Sequence, residues 1–194
     1  SKPLASNVIC ALAAFLSRGF DLDKVYPYLK NLDFPRGRMD LMLLSEKDKC
    51  FIDYAHTPEA LETSLTELKE AFKNSNLWCI FGCGGDRDRD KRSKMGQVAE
   101  LLSDFLVITN DNPRTENEFD IIEEINQGIK NKTRIKIIPN RKEAILYCLN
   151  KMKANKESNV LLIAGKGHED YQDVLGKRVH FSDHEQVKSF LTSN

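Results

Sequence analysis

What this sequence lacks narrows its function before any motif is considered. It has no excess of either charge, with 29 Lys and Arg against 29 Asp and Glu. No global field therefore draws it to nucleic acid or to an anionic membrane surface, and a charged ligand has to be met by a local cluster. It has no long apolar run. The longest, VICALAAFL at 8–16, is nine residues, about half of what a membrane-spanning helix needs, so no membrane insertion and a soluble chain are expected. No basic leader with a small-residue cleavage site opens it, which is consistent with a cytoplasmic protein. The five cysteines, Cys10, Cys50, Cys79, Cys83 and Cys148, include no C-x-x-C pair, and most lie in apolar segments where a reduced thiol packs well. Among the four histidines, His56, His168, His180 and His184, there is no H-E-x-x-H motif, and no metal site built from side chains is expected.

What is present is a change of period along the chain. Apolar residues at helical spacing predict a helix over 6–18, capped by Ser6 or Asn7 and ended by Gly19, then a second over 21–31 capped by Asp21. FPRGRMD at 34–40 breaks the pattern, and a domain boundary is placed there, giving 1–36 and 37–194. Beyond it MDLMLLS and CFIDYA read as paired strands about the turn EKDK, followed by a helix from Pro58 to Lys73.

Strand and helix then alternate. LWCIFG (77–82), FLVIT (105–109), RIKIIP (134–139) and VLLIAG (160–165) are apolar runs, and helices over 91–102, 118–129 and 140–153 separate them. The last run leads into a loop. A final strand KRVHF and a helix from Ser182 or Asp183 close the chain. Such a pattern implies an α/β fold with a mostly parallel sheet covered by helices on both faces. Ligands of these sheets sit at the carboxyl ends of the strands.

The unusual residues collect in the loops at those ends: DYAHTPEA (53–60), GCGGDRDRDKR (82–92), NDNPRTEN (110–117) and GKGHEDYQ (165–172). Each has a local and a functional reading. Thr57 and Pro58 suit a helix start, whereas Asp53 and His56 suit a sugar hydroxyl and a nucleotide or phosphate. The glycine-rich loop lacks the G-K-[ST] of a phosphate loop. Its Arg87, Arg89, Lys91 and Arg92 either neutralise Asp86, Asp88 and Asp90 locally, or one arginine faces the strand ends and pairs with a substrate carboxylate. Gly165 and Gly167 permit a tight turn, and Lys166 is followed by glycine, so this loop also departs from a phosphate loop. In NDNPR, Pro113 fixes the turn and Asp111 or Asn112 satisfies backbone groups, but the turn has no need of Arg114. A guanidinium on a rigid turn suits two-pronged recognition of a carboxylate or phosphate. Arginines and carboxylates on adjacent loops fit a zwitterion such as an amino acid.

DYAHTPEAL, FGCGGDRDRDKR, TNDNPR and AGKGHEDYQ, in this order and spacing, resemble the carboxyl-terminal part of the Mur ligases. The branch is the one that adds the third residue of the peptidoglycan peptide, and the likeness runs from about Asn7 to the end. It implies a three-domain cytoplasmic enzyme. Residues 1–36 would be the last helices of its central ATP-binding domain, and 37–194 its Rossmann-like, amino-acid-binding domain.

The activity implied is ATP-dependent amide formation through an acyl phosphate, joining meso-diaminopimelate to UDP-N-acetylmuramoyl-L-alanyl-D-glutamate with Mg2+ present. The family's phosphate loop, magnesium ligands and carbamylated lysine have no counterpart in these residues. The piece is thus expected to be inactive alone and to hold no catalytic residue or metal ligand.

By motif, Arg87, Asp111, Asn112, Pro113, Arg114, Gly165 and Glu169 correspond to the diaminopimelate site, and Asn7, Arg38, Asp53 and His56 to ATP contacts. SKPLASN departs from the family's usual entry motif and keeps only its second asparagine, Asn7. A lysine-adding ligase is a competing reading, disfavoured by Arg114, and a stand-alone nucleotide or amino-acid binding module is another.

Overall fold

In the first helix the chain folds earlier than its capping residues imply. The computed structural model describes residues 2–32 and 35–193, so Phe34 of the predicted break lies outside the described residues. Contacts divide the chain into two compact units, Ser1–Pro35 and Arg36–Asn194. In the first, α1 spans Lys2–Ser17, which places Ser6 and Asn7 inside the helix and not at its cap. Gly19, at φ +81°, closes the helix, and Phe20 folds back edge-on to Phe15 at 5.5 Å. Asp21 caps α2, Leu22–Leu29, by accepting from the Asp23 amide.

The second unit is a six-stranded sheet. Its strands are β1 (Asp40–Leu43), β2 (Asp48–Asp53), β3 (Asn76–Phe81), β4 (Phe105–Ile108), β5 (Ile135–Ile137) and β6 (Asn159–Ala164), ordered β1-β2-β6-β3-β4-β5. Only β1 runs antiparallel, forming a hairpin with β2; all other pairs are parallel.

Alternate residues of the strands feed two cores. Phe51, Leu77, Cys79, Phe81, Leu106, Ile108, Val160 and Leu162 meet Leu61, Leu65, Met95, Ala99, Ile121 and Ile125 on one face. These come from α3 (Pro58–Ala71), α4 (Asp90–Leu102) and α5 (Glu118–Asn126). Cys50, Ile52, Trp78, Ile80, Val107, Leu161 and Ile163 meet Ala144, Ile145, Cys148, Leu149 and Val187 on the other, from α6 (Arg141–Ala154) and α7 (Asp183–Thr192). Crossovers of one hand explain this division. From β3 to β5 the chain steps outward, and from β5 to β6 it returns, so α6 falls on the opposite face. Burial on both faces is why these strands read as continuous apolar runs.

Between β3 and β6 the direction of the connections switches, α4 leaving to one face and α7 to the other. A crevice opens at the carboxyl ends of these strands.

Several elements differ from expectation. α5 ends at Asn126 and β5 has three residues. The expected loop after β6 contains a strand, β7 (Tyr171–Val174). It pairs antiparallel with β8 (Lys177–His180) as a separate two-stranded sheet, so KRVHF does not extend the main sheet. The polar composition of YQDV, without an apolar alternation, hides β7 from a periodicity reading.

Candidate functional site

The four loops predicted from the strand ends meet around a cleft of about 440 Å³. Tyr54, His56, Arg87, Asp111, Asn112, Arg114, Gly165, Glu169 and Tyr171 are among the residues lining it.

Behind the lining residues Asn112 and Glu169 lies Lys166, with none of its surface exposed. Its Nζ donates to Asn112 Oδ1 at 3.1 Å and to Glu169 Oε2 at 3.2 Å, and stands 3.9 Å from Asp111 Oδ1. Asn112 Nδ2 also donates to Glu169 Oε2 at 2.9 Å. Two carboxylates share one ammonium here, which leaves the group with an excess of negative charge. Burial raises the Asp111 pKa above the usual carboxylate value, with Arg141 and Lys166 opposing the rise. Gly165, at φ +112°, lets the backbone pass this carboxylate, because a Cβ there would stand 2.5 Å from Asp111 Oδ2.

A second buried cation holds the floor from below. Arg141 grips Asp183 in a two-pronged pair at 2.8 Å and donates to the carbonyls of Asn110 and Ala164. It thereby ties the end of β4 to the end of β6. Sequence reasoning missed both Lys166 and Arg141, because isolated cations in polar stretches read as solvated surface.

Arg114 stands at the mouth of the cleft with φ +52°. Its Nη1 donates to the Gly85 carbonyl at 2.6 Å; among the described residues no carboxylate pairs with its guanidinium. Pro113 is buried beside it. A Cβ on Gly85 would lie 1.9 Å from the Pro113 carbonyl, so this glycine allows two loops to touch.

The charge-rich loop resolves its two readings residue by residue. Arg92 is fully buried between Glu116 and Glu124, and Arg89 pairs with Glu124. These arginines are neutralised, but by glutamates beyond β4 and not by the neighbouring aspartates. The Arg92 hydrogen bond, assisted by the Asp86 amide, holds the Glu116 carboxyl down at about 2. Lys91 Nζ donates to the His56 carbonyl. Arg87, exposed, has only the Asp86 carbonyl as a hydrogen-bond partner among the described residues and lines the cleft.

On the β2 side, Tyr54 is flanked by three groups. Arg38 lies over its ring at 4.8 Å, and His56 and His168 at 4.7 and 5.3 Å between centroids. Asp53 is buried and committed to the fold: it accepts from the Met39 and Ala55 amides and the Ser64 hydroxyl. Asp53, Arg38 and Pro113 are not part of the cleft lining. Asn7 belongs to the other unit, where it borders an apolar groove between α1 and α2.

His180 and His184 are four residues apart but serve separate pairs, His180 with Glu185 and His184 with Asp40. Among the described residues no group of three or more His, Cys, Asp or Glu converges to hold a metal ion.

A mostly parallel open sheet, with a crevice lined by charges of both signs at its switch point, defines an α/β domain of the doubly wound class. Its family follows from comparison: residues 37–167 match the model of the Mur ligase, glutamate ligase domain, and the chain belongs to the Mur ligase family. It is 46% identical over 188 residues to the UDP-N-acetylmuramoyl-L-alanyl-D-glutamate--2,6-diaminopimelate ligase of Buchnera aphidicola, covering 95% of this chain and 36% of that protein. To the ligase of the same name from Haemophilus influenzae it is 44% identical over 186 residues, with 96% and 37% covered. A solved structure of a ligase bearing that name superposes with a TM-score of 0.74 at 38% identity, covering 97% of this chain and 38% of the other. The chain thus spans little more than a third of the length of these relatives.

Proposed function

We propose that this chain is the amino-acid-receiving part of a cytoplasmic, ATP-dependent amide ligase of peptidoglycan synthesis. The ligase adds meso-diaminopimelate to UDP-N-acetylmuramoyl-L-alanyl-D-glutamate. Residues 1–36 are assigned to the end of its central domain and 37–194 to the domain that presents the amino acid. In the reaction a carboxylate of the dipeptide takes the γ-phosphoryl of ATP, releasing ADP. The amine of the incoming amino acid then displaces phosphate and forms the amide. Magnesium neutralises phosphate charge when bound, and its ligands are assigned to the remainder of the ligase.

The observation that carries the reading is Arg114, a guanidinium held at the cleft mouth without a carboxylate partner among the described residues. Meso-diaminopimelate bears two carboxylates and two ammonium groups. Arg114 is assigned to the distal carboxylate and Arg87 to the other. Asp111, Glu169 and Asn112, with the net negative charge around Lys166, are assigned to an ammonium. L-Lysine has one carboxylate fewer and would leave Arg114 desolvated and unpaired, at a cost of about 1.5–3 kcal/mol, or roughly 10- to 100-fold in discrimination.

Arg38 and His56, beside Tyr54, are assigned to ATP; Asn7, in the other unit, is assigned to ATP on its motif alone. Asp53 contributes indirectly, by fixing the turn that carries Tyr54 and His56. The test is phosphate release by the full-length ligase with ATP, Mg2+ and the UDP-muramoyl dipeptide. Release with meso-diaminopimelate and little with L-lysine is expected. Release with lysine alone would assign a lysine-adding ligase, and release with neither would favour a binding module.

A further inference from the structure

The β7–β8 hairpin makes its most telling hydrogen bonds away from itself, to the loop after β4. Gln172 Nε2 donates to the Asp111 carbonyl at 2.9 Å, and the Asp173 amide donates to Asn112 Oδ1 at 3.0 Å. The Arg114 amide donates to the Asp173 carbonyl at 2.9 Å, and the Leu175 amide to the Arg114 carbonyl at 2.7 Å. The Asp111–Arg114 segment is therefore gripped along its length by residues 172–175. Arg114 is in the left-handed region, a conformation that a non-glycine residue keeps only where its surroundings impose it. From the opposite side the segment meets the glycine-rich loop, the Gly85 amide donating to the Asn112 carbonyl at 2.9 Å. The match to the Mur ligase, glutamate ligase domain ends at residue 167. The hairpin follows that matched segment, and it holds the loop on which substrate choice is proposed to depend.

We propose that the β7–β8 hairpin is the element that sets amino-acid specificity by position, with Gln172 as a positioning residue for Asp111, Asn112 and Arg114. The proposal rests on the reading of that loop as the amino-acid site. Recognition of a molecule with charged groups at both ends requires the loop's arginine and carboxylate to be correct at once. Small displacements of such groups are costly in binding and rate. Gln172 removes one freedom of the loop by anchoring the Asp111 carbonyl.

Gln172→Met in the full-length ligase keeps the side-chain volume and deletes the amide. The expected result is a rise of about fivefold in the KM for meso-diaminopimelate, the scale of one neutral hydrogen bond, with the KM values for ATP and the UDP-muramoyl dipeptide unchanged. Gln172→Asn, one methylene too short to reach the carbonyl, should behave alike. Leu101→Ala, exposed on α4 and outside the cleft lining, should change none of these constants. An unchanged meso-diaminopimelate KM in both Gln172 variants, at wild-type thermal midpoint, overturns the proposal. So does an equal rise in the ATP KM, which a general loosening would give. Should the wild type use lysine instead, the assignment of Arg114 falls. The same variants measured on lysine then decide the hairpin's role separately.

Discussion

Asp111 and Gly165 come from different strand ends, and the missing side chain of the glycine makes room for the carboxylate. A Cβ on Gly165 would stand 2.5 Å from Asp111 Oδ2, at a φ of +112° that side chains rarely adopt. Gly165→Ala is therefore expected to destabilise the protein by about 1–3 kcal/mol and to weaken meso-diaminopimelate binding. Thermal unfolding should show a midpoint lower by several degrees. An unchanged midpoint would mean that the two loops part without cost.

Lys166→Met should be more damaging, because it leaves Asp111 and Glu169 facing each other without their shared ammonium. Removing one partner of a buried charge cluster costs about 3–5 kcal/mol. Urea unfolding at pH 7 measures it, and Glu169→Gln in the same background should recover part of the loss. No recovery would show that the lysine acts by packing alone.

The Arg92–Glu116 pair gives a pH signature. The Glu116 carboxyl titrates at about 2 in the folded chain instead of its ordinary 4.5. Its contribution is therefore fully present above pH 4.5 and lost as the pH falls toward 2. Asp111, raised from 3.8 by burial, has the opposite sign: its cost appears as the pH rises through 3.8. The stability difference between wild type and Arg92→Leu should be largest above pH 4.5 and shrink toward pH 2. A difference that is the same at pH 6 and pH 2.5 would contradict the pairing.

Thiol reactivity tests the two cores. Cys50, Cys79, Cys83 and Cys148 are buried and Cys10 is exposed. Burial pushes Cys79 and Cys83 up to about 12, and Cys50 and Cys148 upward as well. The thiolate is the reactive form, so a thiol reagent at pH 8 should label Cys10 quickly and the other four only on unfolding. A second fast thiol in the folded protein would place one of these strands or helices wrongly.

Much of this architecture was legible because a parallel sheet buries both faces of its strands. LWCIFG, FLVIT and VLLIAG could then be read as strands and their following loops as one edge. The four loops did meet there. Lys166 and Arg141 were not legible, since a buried cation looks like a surface one until its carboxylates, Glu169 and Asp183, are seen beside it. In the sequence Asp53 reads as a ligand contact because it ends a strand, whereas its bonds to Met39, Ala55 and Ser64 come from residues whose approach only the fold reveals. β7 was hidden because its partners are polar groups of the Asp111–Arg114 loop and β8, and not an apolar core.

The central claim is that Arg114 selects the amino acid, and kinetics of Arg114→Ala in the full-length ligase test it most directly. The KM for meso-diaminopimelate should rise roughly 10- to 100-fold, the value of a charged hydrogen-bonded pair, while the KM for ATP stays within about twofold and the preference over L-lysine collapses. Equal meso-diaminopimelate kinetics in variant and wild type would contradict it.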